Sequence, residues 1–153
     1  MGSFEILDHT ADVGIRAQGA SLEEVFEQSS RGLADIMGIW KATPATGRRA
    51  LVDAQQLPVD LRAPDLGGLL VDWLGEIVYL ADVKEVFLTR IHVEAVTGQG
   101  SVGPGNCTAS GGLWLEPRVG GEELGTPVKA ITYHRLKVVP GPSGWIAEIY
   151  VDV

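Results

Sequence analysis

Residues 128–151 read VKAITYHRLKVVPGPSGWIAEIYV, and this stretch decides the fold class. Its two halves, 128–139 and 145–151, are rich in β-branched and aromatic residues, which are typical of strands. Between them, residues 141–144 read GPSG, a combination that is typical of a turn. Two strands joined by so short a turn can pair only in the antiparallel direction, so this end of the chain predicts an antiparallel sheet.

Working outward from this hairpin, more strands than helices are predicted. Apolar residues alternate with polar ones from Val86 to Ala95, and glycine-rich stretches separate this strand from another at 107–116 and from the hairpin. The segment from Ala50 to Ala63 is expected to be extended, and Pro58 within it indicates an edge strand or the start of a strand. Two short N-terminal strands, at 3–8 and 13–18, complete the predicted set.

Two helices are predicted between these strands. Ser21 and Glu24 form a capping box before an apolar pattern of helical spacing that Gly38 ends. Asp65 is the expected N-cap of a second helix with a wide apolar stripe. The predicted order is β-β-α-β-α-β-β-β-β. This clustering of strands favours the α+β class, with a mainly antiparallel sheet and two helices packed on one face.

The composition limits the possible functions. The 153 residues form a single compact domain, 1–153, and carry a formal net charge of −8. This acidic balance argues against direct binding to the backbone of RNA or DNA, which requires clustered Lys and Arg. The chain shows no leader sequence or apolar run of membrane-spanning length, so we expect a soluble, cytoplasmic protein without membrane partners.

Carboxylates at the two ends of the chain form a candidate metal site. Residues 8–12 read DHTAD, which places Asp8, His9 and Asp12 at a strand junction, and Asp152 precedes Val153. If the first and last strands are close in the sheet, Asp12, Asp152 and a Val153 oxygen converge as an all-oxygen site that suits Ca²⁺ or Mg²⁺. The alternative is that the two distant carboxylates are unrelated.

Other chemical signals have simpler interpretations. Residues 98–103 have the spacing G-x-G-x-x-G, but a strand rather than a helix is predicted to follow, so a hairpin loop is favoured over a dinucleotide site. The carboxylates of Asp60, Asp72 and the run Glu23, Glu24 and Glu27 are interpreted as solvated surface.

Several segments together resemble the archease family. The two most specific are DHTAD at 8–12 and VKAITYH at 128–134. The resemblance further covers FEILDHTADVGI at 4–15, SLEEVFE at 21–27, LLVDWLGE at 69–76, Trp145 and the final Asp152 and Val153.

This resemblance implies a non-catalytic protein that activates a GTP-dependent RNA ligase. The ligase joins 2′,3′-cyclic-phosphate or 3′-phosphate ends to 5′-hydroxyl ends in tRNA splicing and RNA repair, and the activator promotes its guanylylation and multiple turnover. The resemblance also implies a calcium site at Asp12, Asp152 and Val153, and an activity role for Lys129, with Asp8 and His9 as partner-facing neighbours. RNA would be served only through the ligase.

One segment departs from the family pattern, and two rival functions stay open. Residues 112–119 read GLWLEPRV and lack the histidine that the family pattern has in this hairpin. The rivals are a stand-alone metal-dependent phosphotransferase, which would act without any ligase, and a general protein chaperone, which would need exposed apolar patches.

Overall fold

The computed structural model describes residues 2–8, 12–42, 55–98, 107–118 and 124–153. The element order follows the predicted one, and the α+β class is confirmed. The elements are β1 (Ser3–Asp8), β2 (Asp12–Gly19), α1 (Leu22–Met37), β3 (Gln55–Ala63), α2 (Leu66–Tyr79), a one-turn π-helix (Leu80–Lys84), β4 (Val86–Thr97), β5 (Cys107–Pro117), β6 (Ala130–Gly141) and β7 (Gly144–Asp152).

The strands form two antiparallel sheets rather than one. The four-stranded sheet has the order β1-β2-β7-β6, and the three-stranded sheet has the order β3-β5-β4. The C-terminal hairpin joins the N-terminal strands through β7, whereas β5 lies between β3 and β4. Both helices contact both sheets, α1 mainly through β2 and β4 and α2 mainly through β6 and β3. The core therefore forms where the helices meet the two sheets.

Both predicted helix starts are confirmed. At α1, the Glu24 amide donates to Ser21 Oγ at 3.2 Å, and the Ala20 amide donates to Glu24 Oε2 at 2.6 Å. At α2, the Gly68 amide donates to Asp65 Oδ1 at 2.7 Å. Gly38 ends α1 with φ of 70°, a left-handed conformation that glycine adopts without strain.

A buried hydrogen bond joins the two helices. Trp73 of α2 is fully buried, and its Nε1 donates to Ser30 Oγ of α1 at 2.8 Å. Ser30 Oγ in turn donates to the Phe26 carbonyl at 2.7 Å. Because the indole N–H and the Ser30 hydroxyl both have acceptors, the indole can be buried without the cost of an unpaired N–H.

The exposed edge of β4 is protected by carboxylates of α1, so the interpretation of these acids as solvated surface was wrong. Glu27 Oε2 accepts the Val93 amide at 2.7 Å, and Glu23 Oε2 accepts the Val96 amide at 2.7 Å. These acids satisfy N–H groups that would otherwise be open to another strand, which is a recognised way to prevent edge-to-edge aggregation.

The alternation predicted for β4 is interrupted twice. Its register with β5 shifts between Leu88 and Arg90 and again between Val93 and Ala95. Leu88 is fully buried, although strict alternation would place it on the same face as the polar Arg90 and His92. No helix among the described residues is both long and apolar enough to cross a membrane.

Candidate metal and partner-binding site

The strand register places Asp12 directly opposite Asp152. The two residues pair across β2 and β7, and Asp152 also pairs with Ala130 of β6. Directly opposed residues in an antiparallel sheet project their side chains from the same face. The two ends of the sequence therefore meet at one end of the four-stranded sheet, which we call the acidic tip (Asp12, Asp152 and Val153).

The acidic tip is connected to Lys129 through the main chain. The Lys129 amide donates to the Asp152 carbonyl at 2.8 Å, just before β6 begins. The Val153 side chain packs against the core. Because this side chain is a hydrocarbon, Val153 can offer only main-chain oxygens to a ligand. Asp8 ends β1 opposite Val13, whereas the Asp8 side chain and all of His9 lie outside the described residues.

The donors at the acidic tip fit a hard divalent cation. Two carboxylates in directly opposed positions repel each other, and a bound cation would remove this repulsion. Ca²⁺ takes about six to eight oxygen ligands, which include carboxylates, main-chain carbonyls and water. In the described part of the chain, no cluster of three or more His, Cys, Asp or Glu residues could hold a metal. Further ligands would therefore have to come from main-chain oxygens, water or the DHTAD segment.

A groove of about 630 Å³ lies beside the acidic tip, between α2 and the start of β6. We call it the α2–β6 groove; its lining residues are Leu61, Val71, Asp72, Gly75, Glu76, Val78, Tyr79, Lys129, Ala130 and Ile131. Lys129 therefore belongs both to the surroundings of the acidic tip and to the wall of this groove. Among the described residues, no ion pair joins Lys129 to Asp72 or Glu76.

The sequence interpretation missed the place of Asp72 and Glu76. They lie one helical turn apart on α2, away from its apolar stripe, and Asp72 was interpreted as a solvated side chain. The structure places both at the α2–β6 groove, which also contains Lys129. Only the packing of α2 beside β6 reveals this arrangement, although the spacing of four residues already showed that the two carboxylates share a helix face.

A buried glutamate lies four residues before Asp152 on β7 and was also missed. Glu148 is 8% exposed, and it accepts hydrogen bonds from Tyr150 Oη at 3.1 Å and from Arg16 Nε at 3.2 Å. Lys137 Nζ lies 3.8 Å away. Burial opposes ionisation of Glu148, but the hydrogen bonds from Tyr150 and Arg16 and the two positive charges outweigh it and lower the pKa.

Glu148 belongs to a row of alternating charges across the four-stranded sheet. Register pairs Glu5 with Arg16, Arg16 with Glu148, and Glu148 with Lys137. The Arg16 guanidinium also donates to Glu5 at 2.8 Å. Each charge faces one of opposite sign, which favours this register of the four strands.

The segment that departs from the family pattern is largely a central strand. Residues 112–117 belong to β5, which pairs with β3 on one side and β4 on the other. Arg118 follows, and its guanidinium donates to the Ala81 carbonyl of the π-helix at 2.9 Å. Val119 lies outside the described residues.

Comparison with known proteins shows the family of this chain. The family model for the archease protein family matches residues 4–153, so the chain belongs to the archease family. The protein archease of Methanosarcina mazei is 33% identical over 151 residues, covering 98% of this chain and 95% of that protein. The protein archease of Thermococcus kodakarensis is 31% identical and is matched over the full length of both chains.

Two solved structures share the fold. The solution structure of Methanobacterium thermoautotrophicum protein 1598 superposes with a TM-score of 0.76 at 26% identity and covers 98% of each chain. The crystal structure of an archease from Thermotoga maritima, described as a possible chaperone, has a TM-score of 0.56 at 17% identity and covers 96% of this chain and 94% of that one.

Proposed function

We propose that this protein is a non-catalytic activator of a GTP-dependent RNA ligase in tRNA splicing or RNA repair. It promotes guanylylation of the ligase and so allows multiple turnovers. Membership of the archease family supports the class of activity. The observation that carries the proposal is the pairing of Asp12 with Asp152, with the Lys129 amide bonded to the Asp152 carbonyl.

At the acidic tip, Asp12, Asp152 and a main-chain oxygen of Val153 would hold a divalent cation, for which Ca²⁺ is the expected ion. When bound, the cation supplies fixed positive charge close to phosphate groups. The strand pairing orients the two carboxylates before a ligand arrives, and the Lys129 hydrogen bond holds the start of β6 against Asp152. Preorganised charge of this kind is what phosphoryl transfer requires.

Lys129 supplies a second positive charge near the same place. Its side chain is exposed, and its main chain is anchored to Asp152. Asp8 and His9 would complete the partner-facing end of the molecule. The net charge of −8 supports docking on a basic, RNA-binding enzyme in the cytoplasm, because complementary charges accelerate encounter. RNA is then contacted by the ligase rather than by this chain.

The test is a turnover assay with the cognate ligase, GTP, divalent metal and split RNA. We expect many ligation events per ligase molecule with the wild-type protein, and few with Asp12→Ala or Asp152→Ala. A ligase that stays at single turnover with the wild-type protein would refute the proposal. Phosphoryl transfer without any ligase would favour the phosphotransferase alternative, and protection of unrelated unfolded proteins that does not depend on Asp152 would favour the chaperone.

A further inference from the structure

We propose that the α2–β6 groove binds an extended segment of the partner ligase that carries a lysine or arginine side chain. The identity of the partner rests on the proposed function, whereas the chemistry of the segment follows from the groove. The walls combine apolar side chains, namely Leu61, Val71, Val78 and Ile131, with two carboxylates and one ammonium group. Such a surface suits an amphipathic peptide.

The charge of the groove favours a basic side chain over a phosphate. Asp72 and Glu76 lie one turn apart on α2, and Lys129 is the only cation among the residues that line the groove. The net charge of the walls is therefore negative, which opposes a nucleotide or an RNA backbone. A guanidinium or ammonium group can bind between the two carboxylates, while Lys129 faces a carboxylate or a carbonyl of the same segment.

The groove also offers main-chain groups to an extended segment. β6 pairs only with β7 among the described strands, so its other edge has no strand partner there. Residues 129–131 line the groove at the start of this edge. A groove between a helix and an unpaired strand edge is a common peptide-binding arrangement, in which main-chain hydrogen bonds give affinity and side-chain contacts give specificity.

Gly75 supplies an independent observation. Four glycines lie inside the two helices, and at three of them an added Cβ would crowd a neighbouring atom. The distances would be 2.9 Å to Ile15 Cγ2 at Gly32, 2.9 Å to Leu136 Cδ2 at Gly67, and 3.1 Å to the capping Asp65 Oδ1 at Gly68. At Gly75 an added Cβ meets no atom within 4 Å. Glycine weakens a helix interior. The packing of the described residues gives no reason for a glycine at this position, whereas a bound segment against this face would.

The test measures the affinity of the cognate ligase for the wild-type protein and two groove variants. Gly75→Trp fills the groove, and Asp72→Asn combined with Glu76→Gln removes its carboxylates while keeping their shape. Asp82→Asn with Glu94→Gln is the matched control, because it removes the same charge from exposed positions that do not line the groove. We expect each groove variant to weaken binding about tenfold and the control to change it less than about twofold.

The outcomes separate this inference from the proposed function. If the wild-type protein stimulates the ligase and both groove variants bind and stimulate as well as it does, the groove proposal is overturned and the activator proposal stands. If the wild-type protein neither binds nor stimulates the ligase, both are overturned. Circular dichroism and thermal unfolding check that the variants fold, and the charge variant still decides the question if Gly75→Trp does not fold. Salt should weaken the binding of the wild-type protein to the ligase. If the variant without Asp72 and Glu76 carboxylates loses more of this salt dependence than the control does, an ion pair between those carboxylates and a basic ligase side chain is supported.

Discussion

Asp12 lies directly opposite Asp152 in the antiparallel pairing of β2 and β7, so two carboxylates from the two ends of the sequence project from one face of the sheet. Like charges in directly opposed positions destabilise a sheet unless something neutralises them. If the acidic tip binds a cation as proposed, the stability of the fold should depend on that cation.

Replacing either carboxylate should have opposite effects with and without metal. In a chelator, we expect Asp12→Asn and Asp152→Asn to raise the free energy of unfolding by about 0.2–1 kcal/mol, because the repulsion is removed. In calcium, the wild-type protein should gain thermal stability and the variants should gain much less. Melting temperatures in both conditions check this, with Glu94→Gln as the control that responds like the wild type. An equal calcium response in all four proteins would contradict a metal site at these residues.

Lys129 should matter for activity and not for folding. The main-chain amide of this residue, rather than its side chain, bonds to Asp152. We therefore expect Lys129→Met to change the free energy of unfolding by less than about 0.5 kcal/mol and to reduce ligase turnover roughly tenfold or more. Lys84→Met, at an exposed lysine of the π-helix, is the matched control and should retain full stimulation. Normal stimulation by Lys129→Met would remove this residue from the proposed site.

Glu148 should make stability depend on pH in the acid range. Burial would raise its pKa, but the hydrogen bonds from Tyr150 and Arg16 and the charges of Arg16 and Lys137 hold the pKa below the ordinary 4.5. The unfolded chain therefore binds the proton first as pH falls. The stabilisation is complete above about pH 4.5 and is lost as pH falls through the lower pKa of the folded state.

We expect Glu148→Gln to lower the free energy of unfolding at pH 7 by about 1.5–3 kcal/mol, since hydrogen bonds to a charged group are lost. The difference from the wild type should shrink as the pH falls below about 4. Glu5→Gln, at the exposed end of the same charge row, should cost only about 0–1 kcal/mol. Urea unfolding at several pH values measures these differences, and a pH-independent gap between Glu148→Gln and the wild type would disprove the assignment.

Glu27 should protect β4 from aggregation as well as stabilise the fold. Glu27→Ala leaves the Val93 amide without its acceptor, so we expect a loss of about 1–3 kcal/mol and increased light scattering on heating. Glu27→Gln retains a side-chain oxygen that can accept this amide and should recover most of the loss. Glu94→Ala, an exposed glutamate of β4, serves as the control. Identical unfolding of Glu27→Ala and the wild type would show that this contact contributes nothing.

Gly75 and Gly67 should respond in opposite ways to alanine. An added Cβ at Gly75 meets open space, so Gly75→Ala should raise the free energy of unfolding by about 0.8–1 kcal/mol through helix propensity. At Gly67 the Cβ would lie 2.9 Å from Leu136 Cδ2, and this crowding should cancel or reverse the gain. Thermal unfolding of the two variants side by side decides the matter. A destabilised Gly75→Ala would mean that α2 does not present open space at this position.

The features that sequence predicted well are those with local causes. Ser21 and Asp65 begin helices because their side chains accept amides three residues ahead. Gly38 ends α1 because glycine adopts a positive φ without strain. Pro58 marks an edge strand because proline lacks the N–H that a central strand must donate, and β3 is indeed an edge.

The features that sequence missed depend on long-range packing. Glu27 and the Val93 amide come from different elements, and no local pattern shows that one accepts the other. Asp72 is exposed as expected, but only the placement of β6 beside α2 shows that Asp72 and Glu76 line a groove with Lys129. The division of the strands into two sheets likewise depends on which strand β7 pairs with. Strand propensity cannot predict this partner, because it is the same whether β7 pairs with β2 or with β5.

By itself, the sequence determined the order and type of the elements, the helix caps, the acidic net charge and the family resemblance, because each of these is written in neighbouring residues. The resemblance also predicted a metal site at Asp12, Asp152 and Val153 and an activity role for Lys129, and these stay predictions. Only the tertiary structure decided that Asp12 and Asp152 share a register position, that Lys129 lines a groove with Asp72 and Glu76, and that Glu148 is buried with Arg16 and Tyr150 as partners. The reason is physical: strand register and helix placement are set by the packing of the whole core, and a shift of one residue would turn these side chains to the opposite face.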